Sequence, residues 1–490
     1  MRRMVWACGL TACLLAGAAL ESFAGDIPEL PAPCPSAGSV CASGPEVRVG
    51  LASADRIIVR SASGVRVNGN HVYEAWACEA APWIGAVYGG ASPASSAAYA
   101  ETAPGWCLRG IDGDLQLAAD VVPAGSGDVL ELFRWEEDGT VGTGTAYRGS
   151  LRFIATGRGQ IQPISILPLE SYLSGVVPRE VPASFHSQAL QAMACVARSY
   201  TMSHLGQHRR QGFDLCDTVH CQVYGGLSAE TSNVNEVISS SAGKVLAVSG
   251  KPIDATYHAV CGGWGDAPQN VWKGQRSQPY LQARADTVTS DRRIKKLASL
   301  GPNSADCFTV KKDRRGQEHT VLSEAEKLWR DFIDSPPGSF CQNATRFRWE
   351  QKYSNEDLLE RLRQSLPQLI GIKPEALGKK LDVRVTKRSP GGRVAELQVS
   401  TELGAFALGG DKVRWITSGG RIGREGLKSS FFYVTKEQGR TVFRGCGWGH
   451  GVGLCQEGAQ GRALAGQSCA KILEHYYPGA SLCTVVKGNI

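Results

Sequence analysis

Three hydrophobic patterns succeed one another along the 490 residues. Between 46 and 168, "EVRVGLA", "RIIVRSASGVRVNG" and "AYRGSLRFIATGRGQIQPISIL" alternate apolar and polar positions around glycine turns. That alternation predicts hairpin strands, with a less regular stretch from about 78 to 125. Leu190, Met193, Ala197 and Tyr200 then recur at helical spacing behind Pro182, with Ser184 as the expected N-cap. Cys195, Arg198 and Met202 fall on a neighbouring face, where alanines let a second backbone come close. Further on, "NVNEVISSSAGKVLAV" reads as a helix turning into a strand, and "KPIDATYHAVCGGWGD" as a strand entering a glycine turn. "SNEDLLERLRQSLPQLIG" reads as a helix capped by Ser354 or Asn355, and "LDVRVTKRSPGGRVAELQVST" as a hairpin around Pro390, Gly391 and Gly392. No internal repeat is visible. The expected fold is α+β, with mixed β-hairpins and helices around a central substrate cleft.

The same patterns divide the chain. Arg2 and Arg3, an apolar run and "ESFAGD", with Ser22 and Ala24 at the small-residue positions, predict a signal peptide over 1–24. "LTAC", ending at Cys13, offers lipoprotein anchoring as the alternative. A Pro-, Ser- and Gly-rich linker over 25–45 precedes a mainly β region, 46–165, and a core, 166–285. A charged insertion, 286–345, holds two short helices, "KLASLG" and "AEKLWRDFI", and 346–490 closes the chain. No later stretch approaches the roughly 20 apolar residues of a membrane span. The mature chain is thus expected to be secreted or periplasmic. Sixteen cysteines, two of them in the leader, leave an even number and make disulfides the default there. Sequence-near pairings are Cys34 with Cys41, Cys78 with Cys107, Cys307 with Cys341, and Cys469 with Cys483. The net charge of +7 is spread along the chain, without the basic clusters and stacking aromatics of a nucleic-acid binder.

Four stretches carry candidate chemistry. In "VVPREVP", Glu180 stands between Pro178 and Pro182, which bias Arg179 and Val181 towards extended conformations and give the carboxylate a stiff mount suited to proton transfer. A capping or salt-bridged glutamate is the plain alternative. "GFDLCDTVHCQVYGG" brings Cys216, His220 and Cys221 together, with His208 just upstream, as in a closed structural zinc site. A disulfide between Cys216 and Cys221, or from one of them to Cys261 or Cys195, competes with that reading. "GCGWGHGVGLCQEGAQG" is too irregular for a phosphate loop; its glycines permit positive φ and close backbone approach, and Trp448, His450 and Gln456 suit pyranose rings and N-acetyl groups. "YHAVCGGW" places His258 before the pair Gly262 and Gly263, a strand ending in a tight turn.

Together these stretches resemble the stage II sporulation protein D family of lytic transglycosylases, which includes the proteins called amidase enhancers. "ILPLESYLSGVVPREVP" looks like its opening motif, "ALQAMACVARSY" like the following helix, "CDTVHCQVYGG" and "YHAVCGG" like the middle motifs, and "GWGHGVGLCQEGA" with "ILEHYYPGASL" like its C-terminal signature. The chain departs at Val181, where methionine is usual, and at Cys455, where serine is common and where pairing with Cys446 would stiffen the loop. The resemblance implies that Glu180 is acid and base in cleaving the MurNAc–GlcNAc β-1,4 bond, with a 1,6-anhydro product and no cofactor in the chemistry. A hydrolytic course would draw on Asp217 or Glu457 as the second carboxylate. The same resemblance implies substrate contacts at Arg198, Gln222, Tyr224, His258, Gly262, Gly263, Trp448, His450 and Gln456, with Arg198 kept off the Glu180 carboxylate. It also implies a structural zinc at Cys216, His220, Cys221 and His208, glycan strands lacking stem peptides as substrate, and an N-acetylmuramoyl-L-alanine amidase as partner. A non-catalytic, wall-binding activator of that amidase is the other reading.

Overall fold

The computed structural model describes residues 45–54, 56–61, 65–69, 73–77, 105–110, 118–123, 129–134, 143–155, 160–289, 292–300 and 305–485. The signal peptide, nearly all of the linker, the lipoprotein alternative at Cys13, and the pairings of Cys34 with Cys41 and Cys78 with Cys107 rest on residues outside these. Two compact units emerge among the described residues: 45–185 with 193–254 and 481–485, and 186–192 with 255–480.

The first unit contains a six-stranded sheet in which Leu215–Cys216, Glu46–Gly50, Ile161–Pro168, Ser150–Ala155, Ala118–Pro123 and Val65–Gly69 lie side by side. Period-two alternation fills one buried face: Val47, Val49, Leu151, Phe153 and Ile161 have no exposed surface. Ser150–Ala155 and Ile161–Pro168 form the expected hairpin. Arg56–Arg60 and Val65–Gly69 do not, since the former pairs with Gly105–Gly110 and Leu130–Arg134 in a five-stranded sheet and the latter with Ala118–Pro123. Alternation specifies which face of a strand is buried, not which strand it pairs with.

Strand Ile161–Pro168 leads directly into helix α1, Leu169–Glu180. Leu169, Tyr172, Leu173, Val176 and Val177 make its buried stripe at helical spacing. This corrects the expected extended mount: Pro178 sits inside the last turn, Arg179 is helical, and only Val181 is extended, at φ −137° and ψ 149°. Pro178 forfeits one backbone hydrogen bond, but the apolar stripe holds the helix through it, and Val181 N–H still reaches Val177 O at 3.0 Å. Pro182, with no helix behind it, does restrict its predecessor.

Helix α2, Ser187–Ser203, begins three residues beyond the expected cap, and the His186 ring accepts from Gln188 N–H at 3.2 Å in place of Ser184. Its alanines admit strand Lys244–Val248 as expected: Arg198 donates to Lys244 O at 2.9 Å, and Leu246 N–H donates to Ser199 Oγ at 2.8 Å. That strand pairs with Ser481–Thr484.

In the second unit, helix Asn355–Ile370 is capped by Ser354, which accepts from Asp357 N–H at 3.0 Å. Its Leu358, Leu362 and Leu366 pack with Val383, Leu397, Phe432 and Phe443 from the hairpin Asp382–Arg388/Val394–Thr401 and the sheet of Arg348–Tyr353, Arg440–Cys446 and Phe432–Glu437. A second core joins Trp264, Trp329, Phe332 and Phe431. A helix at Arg292–Ala298 covers only the first three residues of the expected "KLASLG" helix, another at Glu324–Asp334 covers "AEKLWRDFI", and Glu326 ties the second to Arg388 of the hairpin. Helices and small sheets are segregated in both units, as an α+β fold requires.

Candidate functional site

Glu180 is the last residue of α1, where a helix offers carbonyls and no free N–H. Its donor comes from a distant loop: Val223 N–H meets Glu180 Oε1 at 2.9 Å, and the residue is half-buried. The loop is in turn fixed at both ends. Buried Asp214 accepts from Arg48 N, Nε and Nη2 at 2.9, 3.2 and 3.1 Å and from Gly206 N–H at 3.0 Å. Gly225 N–H bonds Gly175 O in α1 at 3.0 Å.

Between those ends, Gln222 and Tyr224 turn inward, where substrate contacts were expected. Gln222 is fully buried and accepts from Thr201 Oγ1 at 2.7 Å and from Tyr172 Oη at 3.4 Å. The Tyr224 ring packs on Tyr172 and Tyr147, with centroids 5.2 and 5.9 Å apart. Arg198 likewise has no exposed surface and is committed to Glu170, through Nε–Oε1 at 2.8 Å and Nη2–Oε2 at 2.7 Å. The resemblance implied substrate contact for all three, whereas burial makes them the frame behind Glu180. Glu170 and Asp214, which anchor that frame, lie within the quoted stretches "ILPLESYLSGVVPREVP" and "GFDLCDTVHCQVYGG" but are not singled out there.

On the same loop, one ligand atom each from His208, Cys216, His220 and Cys221 lies within 4.8 Å of the other three. His208 Nε2 is 3.3 Å from Cys221 Sγ, and His220 Nδ1 is 3.4 Å from Cys221 Sγ and 3.7 Å from Cys216 Sγ. In tetrahedral zinc with Zn–S near 2.3 Å and Zn–N near 2.0–2.1 Å, ligand atoms stand roughly 3.3–3.8 Å apart, so the donor set fits in size and chemistry. Gln211 Oε1, 2.6 Å from His208 Nδ1, orients the ring so that Nε2 faces the sulfurs. The Cys216 thiol is lowered, first by its hydrogen bond with Cys221 and then by the two imidazoles, and the Cys221 thiol is raised by the same neighbour. Burial raises the Asp217 carboxyl, with the adjacent Cys216 adding to it.

The glycine loop belongs to the other unit. Leu454–Cys455 pairs in parallel with Tyr257–His258, and Trp448 exchanges backbone hydrogen bonds with Val260 at 2.8 and 3.0 Å. Close approach is enforced at Gly453, with φ +73°, where a Cβ would stand 1.9 Å from Thr256 O. Trp448 is 40% exposed, and the Arg346 guanidinium lies over its ring at 3.8 Å. The His450 ring is 4.9 Å from Trp272 and 5.5 Å from His258. His258 is buried, and burial lowers it to about 4. Gln456 opens helix Gln456–Leu464 and is 8% exposed, while Gly262 and Gly263 adopt φ of +77° and +99°. Cys455 does not pair with Cys446: its sulfur accepts from Cys261 N–H at 3.1 Å. Cys341 lies 3.5 Å from Cys261, not on Cys307. Cys216, Cys221, Cys261, Cys307, Cys341, Cys446, Cys455 and Cys483 form no disulfide, so Cys483 is not paired with Cys469.

Residues 157–247 match the family model described as Stage II sporulation protein, a span holding Glu180, Arg198 and the four-ligand cluster, and 266–453 match a domain of unknown function. The amidase enhancer of Bacillus subtilis (strain 168) is 29% identical over 319 residues, 63% of this chain. That match spans 40% of the amidase enhancer's own length. The stage II sporulation protein D of Bacillus amyloliquefaciens is 24% identical over 336 residues, covering 64% of this chain and 74% of that one. Its counterpart in Bacillus subtilis (strain 168) is 24% identical over 338 residues, covering 66% and 76%.

Proposed function

We propose, from the premise that this chain belongs to the stage II sporulation protein D family, that it is an exported wall enzyme that cleaves peptidoglycan glycan strands with Glu180 as its acid and base. The observation that carries this reading is the mount of Glu180: a half-buried carboxyl at a helix end, one oxygen fixed by Val223 N–H, behind which Arg198, Gln222 and Tyr224 form an internal frame.

A single carboxyl so placed suffices for anhydro-forming cleavage, where hydrolysis by glycosidases uses a pair. Protonated Glu180 gives its proton to the glycosidic oxygen between N-acetylmuramic acid and N-acetylglucosamine as the C1–O bond breaks. The resulting carboxylate takes the proton of the muramic C6 hydroxyl, whose oxygen closes onto C1, so the proton count balances without water. His208, Cys216, His220 and Cys221 would hold a zinc ion, which would supply a structural crosslink. Such a crosslink would brace the segment bearing Val223 and so the Glu180 carboxyl. Trp448 and His450 offer the sugar-facing side of the glycine loop, with Gln456 buried behind them.

The name of one relative, amidase enhancer, favours a second reading, in which the chain stimulates a cell-wall amidase and Glu180 is inert. The two readings part in one experiment. Folded Glu180→Gln that still binds strands lacking stem peptides but no longer shortens them supports the enzyme. Unchanged stimulation of an N-acetylmuramoyl-L-alanine amidase, with no strand shortening by either protein, supports the activator.

A further inference from the structure

Cys261, Asp286, Cys341 and Cys455 come from four separate segments of the second unit, all are buried, and one ligand atom of each lies within 4.8 Å of the other three. Cys261 Sγ is 3.3 Å from Asp286 Oδ2 and 3.5 Å from Cys341 Sγ. We propose that these four residues form a second metal site, distinct in chain and ligand set from the cluster at 208–221, which takes a thiophilic divalent cation of the zinc class as Cys3Asp.

Three observations carry the assignment. Backbone N–H groups are aimed at two of the three sulfurs: Gly263 at Cys261 at 3.3 Å, and Cys261 and Gly458 at Cys455 at 3.1 and 3.2 Å. Such N–H···S bonds stabilise thiolates, the form in which cysteine binds metal. The carboxylate is oriented as an outer shell orients a ligand. Arg462 Nε and Nη2 donate to Asp286 Oδ1 at 2.9 and 2.6 Å, and Tyr476 Oη donates to Oδ2, the atom facing Cys261, at 2.8 Å.

Charge is the third. Binding releases one proton from each of three thiols, and three thiolates with one carboxylate around a divalent ion carry a net charge of −2. Arg462 offsets part of it. Arg393, 1% exposed, donates through Nη2 to Cys261 O at 3.4 Å and to Trp264 O at 3.3 Å, and the buried Asp266 carboxylate and Cys261 both lie near it. Its Nε and Nη1 have no hydrogen-bond partner, so further negative charge beside it is favourable. A Cys261–Cys341 disulfide uses two of the four groups and removes that charge, whereas a metal uses all four. Thiolate ligands select zinc over magnesium or calcium, and four protein ligands make the site closed and structural. A small cavity lined by Cys261, Arg284, Asp286, His475 and Tyr476 adjoins the cluster.

The test uses the full mature chain, purified without added reductant and loaded with zinc or with cobalt(II). Elemental analysis is expected to find two ions per chain, and cobalt charge-transfer absorption is expected at the strength of five thiolates rather than two. Thiol alkylation before and after denaturation in chelator is expected to show Cys261, Cys341 and Cys455 protected and then free. Cys216→Ser with Cys221→Ser is expected to keep one ion with three-thiolate absorption. If that variant does not fold, the wild-type ion count and alkylation map still decide. A mapped Cys261–Cys341 disulfide, or cobalt absorption of two thiolates with Cys261, Cys341 and Cys455 open to alkylation in the folded chain, overturns the proposal.

Discussion

Arg198 grips Glu170 across 28 residues through two parallel hydrogen bonds of 2.8 and 2.7 Å, and Gly243 N–H joins Glu170 Oε1 at 3.2 Å. The arginine side chain has no exposed surface and the glutamate 21%. This pair ties α1, which ends in Glu180, to α2 and to the strand behind it.

Arg198→Ala is therefore expected to act through stability. Removing one partner of a buried pair costs about 3–5 kcal/mol, and the partial exposure of Glu170 places this case at the lower end. Arg198→Lys keeps the charge but loses the fork, at about half that cost. Urea denaturation of both variants checks the order. Arg198→Ala as stable as the wild type would contradict it.

Chelation is expected to loosen the loop that carries Val223. Metal bound only by the folded chain is folding free energy. At about 2–4 °C per kcal/mol for a unit of this size, losing several kcal/mol lowers Tm by about 10 °C or more. Cys221→Ser is expected to lower Tm by the share of the shift that this cluster carries, and in chelator to melt together with the wild type. Calorimetry with and without chelator reads both.

Glu326 gives the fold a defined acid response. Burial alone would raise its carboxyl, but Arg388 and then Arg330 outweigh burial and hold it below the usual carboxylate value. With the folded value below the unfolded one, the stabilisation is complete above about pH 4.5 and drains away as pH falls through the lowered value. Glu326→Gln is expected to lose about 3 kcal/mol at pH 7 and to show a shallower loss below pH 4.5. Denaturation midpoints from pH 3 to pH 7 compare the two slopes.

Gly453→Ala tests the glycine loop. Its φ of +73° and a Cβ 1.9 Å from Thr256 O force backbone displacement where the loop pairs with Tyr257–His258. A cost of about 2–4 kcal/mol is expected, against about 1–2 kcal/mol at Gly466, where nothing lies within 4 Å and only φ is strained. Equal losses at the two positions would mean that close approach contributes nothing.

Local signals in the sequence were read well where local physics decides. Ser354 caps its helix, Pro390 to Gly392 turn their hairpin, and the spacing of Cys216, His220 and Cys221 foreshadows four ligand atoms in one place. Tertiary choices were not legible. Alternation could not say that Arg56–Arg60 and Val65–Gly69 part into different sheets, and proline preference could not foresee that the buried stripe of α1 carries the helix through Pro178. Cys341 was matched to Cys307 by nearness in sequence, while the fold brings it to Cys261, 80 residues away. Arg198 and Gln222 have the residue types of substrate contacts, and only burial reveals them as framework.

The most direct measurement is mass spectrometry of the fragments released from purified glycan strands without stem peptides by the mature chain and by Glu180→Gln. The account expects 1,6-anhydromuramic ends from the wild type, lighter by one water than reducing ends, and at least a 100-fold loss in the folded variant. Reducing ends, or anhydro ends at an undiminished rate from Glu180→Gln, would contradict the role given to Glu180.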